Sequence, residues 1–223
     1  MDAYWAKDIQ ELSRLERRSA FQKLTELLMV QSGAIFEARP LAGACGISQP
    51  TVENYVSALE ETLVIHILRP FHGNRSKEII TAPKIYGCDT GFVCFYRGWT
   101  SLRPQDVGAL WEHLVLNELH AVAGRRTIRY WRDKQKHEID FIWAPRGSDP
   151  VVIECQWSAA DFDPGNLGVF RRVHPNGVKV VVSHDVHRPC RRTWGGLVVH
   201  FENPRGLAQR IEAWRGNRGG IAK

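Results

Sequence analysis

The 223-residue chain carries no G-x-x-x-x-G-K-[ST] segment, so it offers no phosphate-binding loop for a nucleotide. Its five cysteines, Cys45, Cys88, Cys94, Cys155 and Cys190, are odd in number and lack C-x-x-C spacing. That argues against a zinc ribbon and against a disulfide framework. No apolar run reaches the length of a bilayer span. The opening Met1-Asp2-Ala3-Tyr4-Trp5-Ala6-Lys7-Asp8 is charged and has no secretory apolar core. A cytoplasmic protein without membrane contact is therefore expected. His184, His187 and Cys190 lie close together in an expected loop and are read as incidental surface residues rather than metal ligands.

What is present is an ordinary globular composition, 43% hydrophobic, long enough for one large domain or two small ones. The net charge of +6 and the pI near 9.2 permit nucleic-acid binding without requiring it. Arginines gather in the C-terminal third, at Arg171, Arg172, Arg188, Arg191, Arg192, Arg205, Arg210, Arg215 and Arg218. They suit a solvated basic surface and a phosphate-contacting one equally.

Along the chain, Leu12, Leu15, Phe21, Leu24, Leu27 and Leu28 recur at helical spacing and predict a core helix over 8–32, stopped by Gly33. Residues 40–45 predict a short helix. Gly46-Ile47-Ser48 predicts a tight turn with Ser48 as N-cap, and 49–60 a second helix with Pro50 in its first turn. Two helices about a Gly-bearing turn form a helix-turn-helix. The runs 64–71 and 79–86 would be the strands of a wing around Arg75 and Lys77. If the second helix enters a major groove, Gln49, Thr51, Glu53 and Asn54 face the bases, while Glu53 and Glu60 disfavour phosphate. Arg75 and Lys77 are the better phosphate contacts. The alternative is a winged helix that only packs against other domains.

Asp89 in Asp89-Thr90-Gly91 reads as a turn residue capping the backbone that follows. Residues 106–123 predict a helix with Leu110, Leu114, Val115, Leu119 and Val122 as its apolar face and Glu112 among them. The stretch from Arg129 to Trp157 then organises the rest. It reads as two strands joined by a turn at 145–150. Alternation puts Glu138 and Asp140 on one face, and Glu154 and Gln156 likewise. If the strands pair, one sheet surface ends in acids, whose hard oxygens suit magnesium. Beyond it, 161–173 predicts a helix, 178–183 a buried central strand, 197–201 a strand, 207–214 a closing helix and 215–223 a frayed tail.

Asp140 followed by Glu154-Cys155-Gln156 resembles the core of the PD-(D/E)xK nuclease superfamily, with Gln156 where that pattern has Lys. The chain as a whole resembles the domain-of-unknown-function family numbered 4143. The resemblance rests on the residues around Asp8, Gly46-Ile47-Ser48 with Thr51-Val52, Pro83-Lys84-Ile85-Tyr86 before Asp89-Thr90-Gly91, Gly108 with Glu112 and Glu118-Leu119, and Tyr130-Trp131-Arg132 before Glu138-Ile139-Asp140-Phe141. It implies an α/β (α+β) chain: an N-terminal winged helix-turn-helix over 1–87, then a restriction-endonuclease-like mixed sheet flanked by helices over 88–223. It also implies kinship with the C-terminal part of AAA-type ATPases, and hence an ATPase partner.

On that resemblance Asp140 and Glu154 would ligate Mg2+, with the Cys155 carbonyl as a further oxygen. Glu112 would hold a water on the metal and Gln156 would orient it, without the charge a Lys supplies. Lys134 or Lys136 could supply charge from an expected turn. Two readings stay open: a metal-dependent nuclease acting on DNA, and a catalytically inactive nucleic-acid-binding or protein-interaction module that regulates an ATPase.

Overall fold

The structure is a computed structural model that describes residues 18–72, 78, 81–145 and 147–219. It is a mixed α/β chain that divides into two compact units, residues 1–68 with 82–101, and residues 69–81 with 102–223. Among the described residues no helix is long and apolar enough to cross a membrane.

The first unit begins with α1 (Arg18–Val30), which buries Phe21, Leu24, Leu28 and Met29. The residues expected to extend this helix toward the N-terminus, Leu12 and Leu15 among them, lie outside the described residues. Next come α2 (Ala38–Cys45) and α3 (Gln49–Glu61). Gly46 ends α2 at φ 64°, a left-handed conformation that a Cβ would strain. Ser48 Oγ accepts the Thr51 backbone N–H at 3.2 Å and caps α3. Val52, Tyr55, Val56 and Leu59 form the buried stripe of α3.

Two strands follow, β1 (Ile65–Leu68) and β2 (Lys84–Gly87), paired antiparallel with Ile65 opposite Gly87. Of the strand expected over 79–86, residues 84–86 lie in β2 and 81–83 are not strand. Arg75 and Lys77 lie outside the described residues. Asp89 Oδ1 accepts from the Gly91 N–H at 2.6 Å and the Phe92 N–H at 3.3 Å, capping a helix the sequence reading did not contain, α4 (Thr90–Tyr96). Arg97 closes the C-terminal end of α1 by donating to the carbonyls of Val30 and Ser32, at 3.1 and 2.6 Å.

The second unit is a six-stranded mixed sheet with helices. Its elements are α5 (Pro104–Ala123), β3 (Ile128–Arg132), β4 (Glu138–Trp143), β5 (Val151–Cys155), α6 (Gly165–Val173), β6 (Lys179–Val182), β7 (Cys190–Trp194), β8 (Leu197–Glu202) and α7 (Pro204–Gly219). The strand order is β3-β4-β5-β6-β8-β7. β3, β4 and β5 form an antiparallel meander, β6 lies parallel to both β5 and β8, and β7 turns back antiparallel on β8. Leu167 and Phe170 of α6 pack with Ile142, Val152, Val181, Val199 and Phe201 in one core cluster. At one edge, the Phe71 and Tyr130 N–H groups donate to the carbonyls of Tyr130 and Arg69, so residues 69–71 cover β3. At the other edge stands β7, with residues 190–193 all exposed.

Several expectations are corrected. The stretch 129–157 holds three strands rather than two, because Tyr130 and Trp131 bury while Arg129 and Arg132 stay half-exposed. The helix expected from Asp161 starts at Gly165, since Asp163 Oδ1 takes the Gly165 N–H at 2.9 Å and turns the chain before it. Cys190 opens β7 instead of sitting in a loop. The expected C-terminal tail continues α7 as helix to Gly219. On α5 the buried stripe is Trp111, Val115, Leu116, Leu119 and Ala123, with Leu114 outward. Trp111 takes the inner position because its indole N–H finds a buried acceptor there, the Val182 carbonyl at 2.9 Å.

Candidate functional site

Acidic side chains converge on the end of the meander. The last ladder pair of β4 and β5 is Phe141 opposite Ile153, so the next step sets Asp140 opposite Glu154. The strands are tied there by a side chain: the Cys155 N–H donates to Asp140 Oδ2 at 2.7 Å. Glu154 is only 7% exposed and hydrogen-bonds to Asp140. Burial first, then the Asp140 charge and that hydrogen bond, and then the charges of Glu112 and Glu138, hold the Glu154 carboxyl well above the usual carboxylate range. The Glu154 carboxyl therefore keeps its proton to higher pH than a solvated one would. Glu138 faces Arg132 across β3 and β4 at 3.5 Å, which offsets part of its charge.

The structure thus brings Glu112, Asp140 and Glu154 into one electrostatic cluster. Glu112, Asp140 and Gln156 are half-buried. The Gln156 N–H donates to the Val182 carbonyl at 3.0 Å, continuing the parallel ladder. The next residue in that register is Ser183. It is fully buried, and its hydroxyl makes no hydrogen bond among the described residues. Lys134 and Lys136 are exposed in the turn between β3 and β4, which the Asp133 N–H closes on the His137 carbonyl.

Among the described residues no group of three or more His, Cys, Asp or Glu side chains forms a ready-made metal cage. Magnesium asks for less, one or two carboxylates with water filling the rest. The carboxyls of Asp140 and Glu154 are oxygen donors of the kind such an ion takes, and it would have to displace the proton that Glu154 holds.

Of the candidate nucleic-acid contacts, Gln49, Thr51 and Asn54 lie on α3 in the first unit, and Arg75 and Lys77 lie outside the described residues. Gln49 and Asn54 are exposed on α3. Thr51 is half-buried and its hydroxyl is engaged by Ser48 Oγ at 2.8 Å, so it is committed to the cap. The C-terminal arginines divide. Arg171 is buried, with its guanidinium donating to the carbonyls of His174, Asn176, Val178 and Pro150. Burial lowers its pKa to about 10. It is a structural clamp and reaches no phosphate. Arg210 is spoken for by buried Glu202, and Arg215 by the Val122 carbonyl. Arg188, Arg191 and Arg192 are exposed.

Sequence reasoning did not find a cluster of rings at the ends of β5 and β6. Trp111, Trp157 and His184 meet where β5 and β6 end. The available signal was adjacency: Trp111 precedes Glu112, and Trp157 follows Gln156.

Comparison with known proteins finds similarity to proteins and domains that carry no assigned function. The chain is 30% identical over 138 residues to an uncharacterised protein of Mycobacterium tuberculosis, and equally to one of Mycobacterium bovis; the match covers 60% of this chain and 31% of each relative. The chain therefore spans about a third of the length of the curated relatives it matches. No solved structure matches. Residues 1–103 match the family described as Domain of unknown function (DUF8612), and residues 107–187, which contain the acid cluster, match Domain of unknown function (DUF4143).

Proposed function

We propose that the second unit is a nuclease domain of PD-(D/E)xK type, dependent on a divalent cation and acting on DNA. The observation that carries the reading is the hydrogen-bonded pair of half-buried Asp140 and buried Glu154, with Glu112 adding its charge from α5. The order α5, β3-β4-β5 as an antiparallel meander, α6, then β6 parallel to β5 supports it. When bound, magnesium would supply Lewis-acid neutralisation of the charge that develops on a phosphodiester. Asp140 and Glu154 would hold the cation. The Cys155 N–H fixes the orientation of Asp140. Glu112 and Gln156 would position the attacking water, Glu112 as acceptor of its proton.

The winged helix-turn-helix reading of α2, α3, β1 and β2 belongs to the same proposal, with Gln49 and Asn54 as its DNA-facing residues. So does an AAA-type ATPase partner, which rests on the family resemblance alone. A second reading has its own observation. Gln156 stands where a charged Lys is expected, and an uncharged amide removes transition-state stabilisation that can amount to several kcal/mol in a dry site. Under that reading the unit binds nucleic acid or an ATPase without cutting.

The test is cleavage of single-stranded and duplex DNA with Mg2+ or Mn2+, beside calorimetric titration of each metal. Asp140→Ala is expected to abolish both metal uptake and cleavage. Equal cleavage by wild type and variant would sink the nuclease reading. Metal uptake without cleavage would favour the second.

A further inference from the structure

The ends of β5 and β6 carry a preformed ring stack. Trp157 and His184 lie parallel, with ring centroids 3.8 Å apart and planes 9° from coincidence. Trp111 meets Trp157 edge-on at 5.6 Å and 84°. Three connections fix the arrangement. The His184 backbone N–H donates to the Trp157 carbonyl at 3.3 Å, and the ring Nδ1 bonds the same oxygen. Asp185 ties the two loops together by accepting from Ser158 Oγ at 2.7 Å and the Ala159 N–H at 2.9 Å. The Trp111 indole N–H holds the Val182 carbonyl. Within this rigid frame Trp157 remains 40% exposed and His184 is exposed.

A core would bury such rings. Here Trp111 is buried, while Trp157 and His184 stay open to solvent, Trp157 three residues beyond Glu154, about 10 Å along an extended chain. A ring of this kind attracts a flat π-system, and stacking on nucleobases is sequence-tolerant because every base has a face to offer. In a duplex those faces are covered by neighbouring bases. The net charge of +6 favours a polyanion.

We infer that Trp157, backed by His184 and Trp111, is a stacking platform for an unpaired nucleobase, and that the DNA bound at this site is single-stranded. The inference deepens the nuclease reading and rests on it for the placement of the scissile phosphate. Base stacking itself requires no cleavage.

The experiment measures fluorescence anisotropy of a labelled oligothymidylate with the full chain, in EDTA, for wild type, Trp157→Leu, Trp157→Phe and Asp140→Asn. Trp157→Leu keeps apolar bulk and is expected to weaken binding roughly ten- to a hundred-fold, the range for one stacked base. Trp157→Phe is expected to restore most of it. Affinity for a duplex of the same length should not change with either substitution. Wild-type affinity in Trp157→Leu, equal losses in the Leu and Phe variants, or no binding by the wild type would each overturn the inference. The two readings separate cleanly. A ring-dependent affinity in a wild type that cleaves nothing with Mn2+ ends the nuclease and keeps the platform. Asp140-dependent cleavage with ring-independent binding does the reverse.

Discussion

Glu154→Gln should make the metal-free protein more stable at neutral pH, by an amount that grows with pH. Burial and the charges of Asp140, Glu112 and Glu138 raise the Glu154 pKa in the folded chain. In the unfolded chain Glu titrates near 4.3. The folded state therefore keeps a proton that the unfolded state releases. Its stabilising effect is complete below the unfolded pKa and is lost as pH rises through the folded one. Within that window one proton is worth up to about 1.4 kcal/mol per pH unit. For a chain of this size that corresponds to roughly 3–6 °C of melting temperature per pH unit. Gln keeps the shape and can still hydrogen-bond Asp140, but it has no proton to lose. Thermal melts of both proteins in EDTA at half-unit steps from pH 4 to 9 would show the curves diverging above about pH 4.5. Parallel curves would refute the raised Glu154 pKa. Adding Mn2+ should raise the wild-type curve most at high pH, where the proton no longer competes, and leave the Gln variant nearly unmoved.

Two further outcomes test the frame around the site. Arg171→Met removes the donor to the carbonyls of His174, Asn176 and Val178. At about 1 kcal/mol or more for each stranded acceptor, it should cost ~3 kcal/mol and lower the melting temperature by roughly 6–12 °C; a shift under 2 °C would contradict the clamp. Ser48→Ala removes the acceptor that caps α3 and should cost about 1 kcal/mol in urea unfolding, while Ser48→Asp should cost nearly nothing.

The parts legible in the sequence are those set by local chemistry. Gly46, Ser48 and Pro50 specify a helix end, a cap and a helix start within five residues, and α2 and α3 follow. Val151 to Glu154 and Lys179 to Val182 are dense enough in β-branched residues to announce strands. β7 was invisible because Cys190-Arg191-Arg192-Thr193 buries nothing, so no period of two exists to read. β3 was hidden because Tyr130 and Trp131 are adjacent and both bury, across a register shift that breaks the period of two. The acids at 112, 140 and 154 could be named from the sequence. Their coupling could not, because it depends on the β4–β5 register and on where α5 lies. The ring stack depends on loops closing after two strands that are far apart in the chain.

The two edges of the sheet bear on how copies of this protein meet. Residues 69–71 already occupy the open side of β3. Among the described residues no strand pairs with the outer side of β7, and an unpaired strand edge invites another strand. Two copies joined antiparallel through β7 and centred on Arg191 and Arg192 would set these arginines against the same pair in the other, and like charges across a strand pair repel. The arginines that look like a nucleic-acid surface in a composition count would thus also disfavour that pairing, most strongly at low salt.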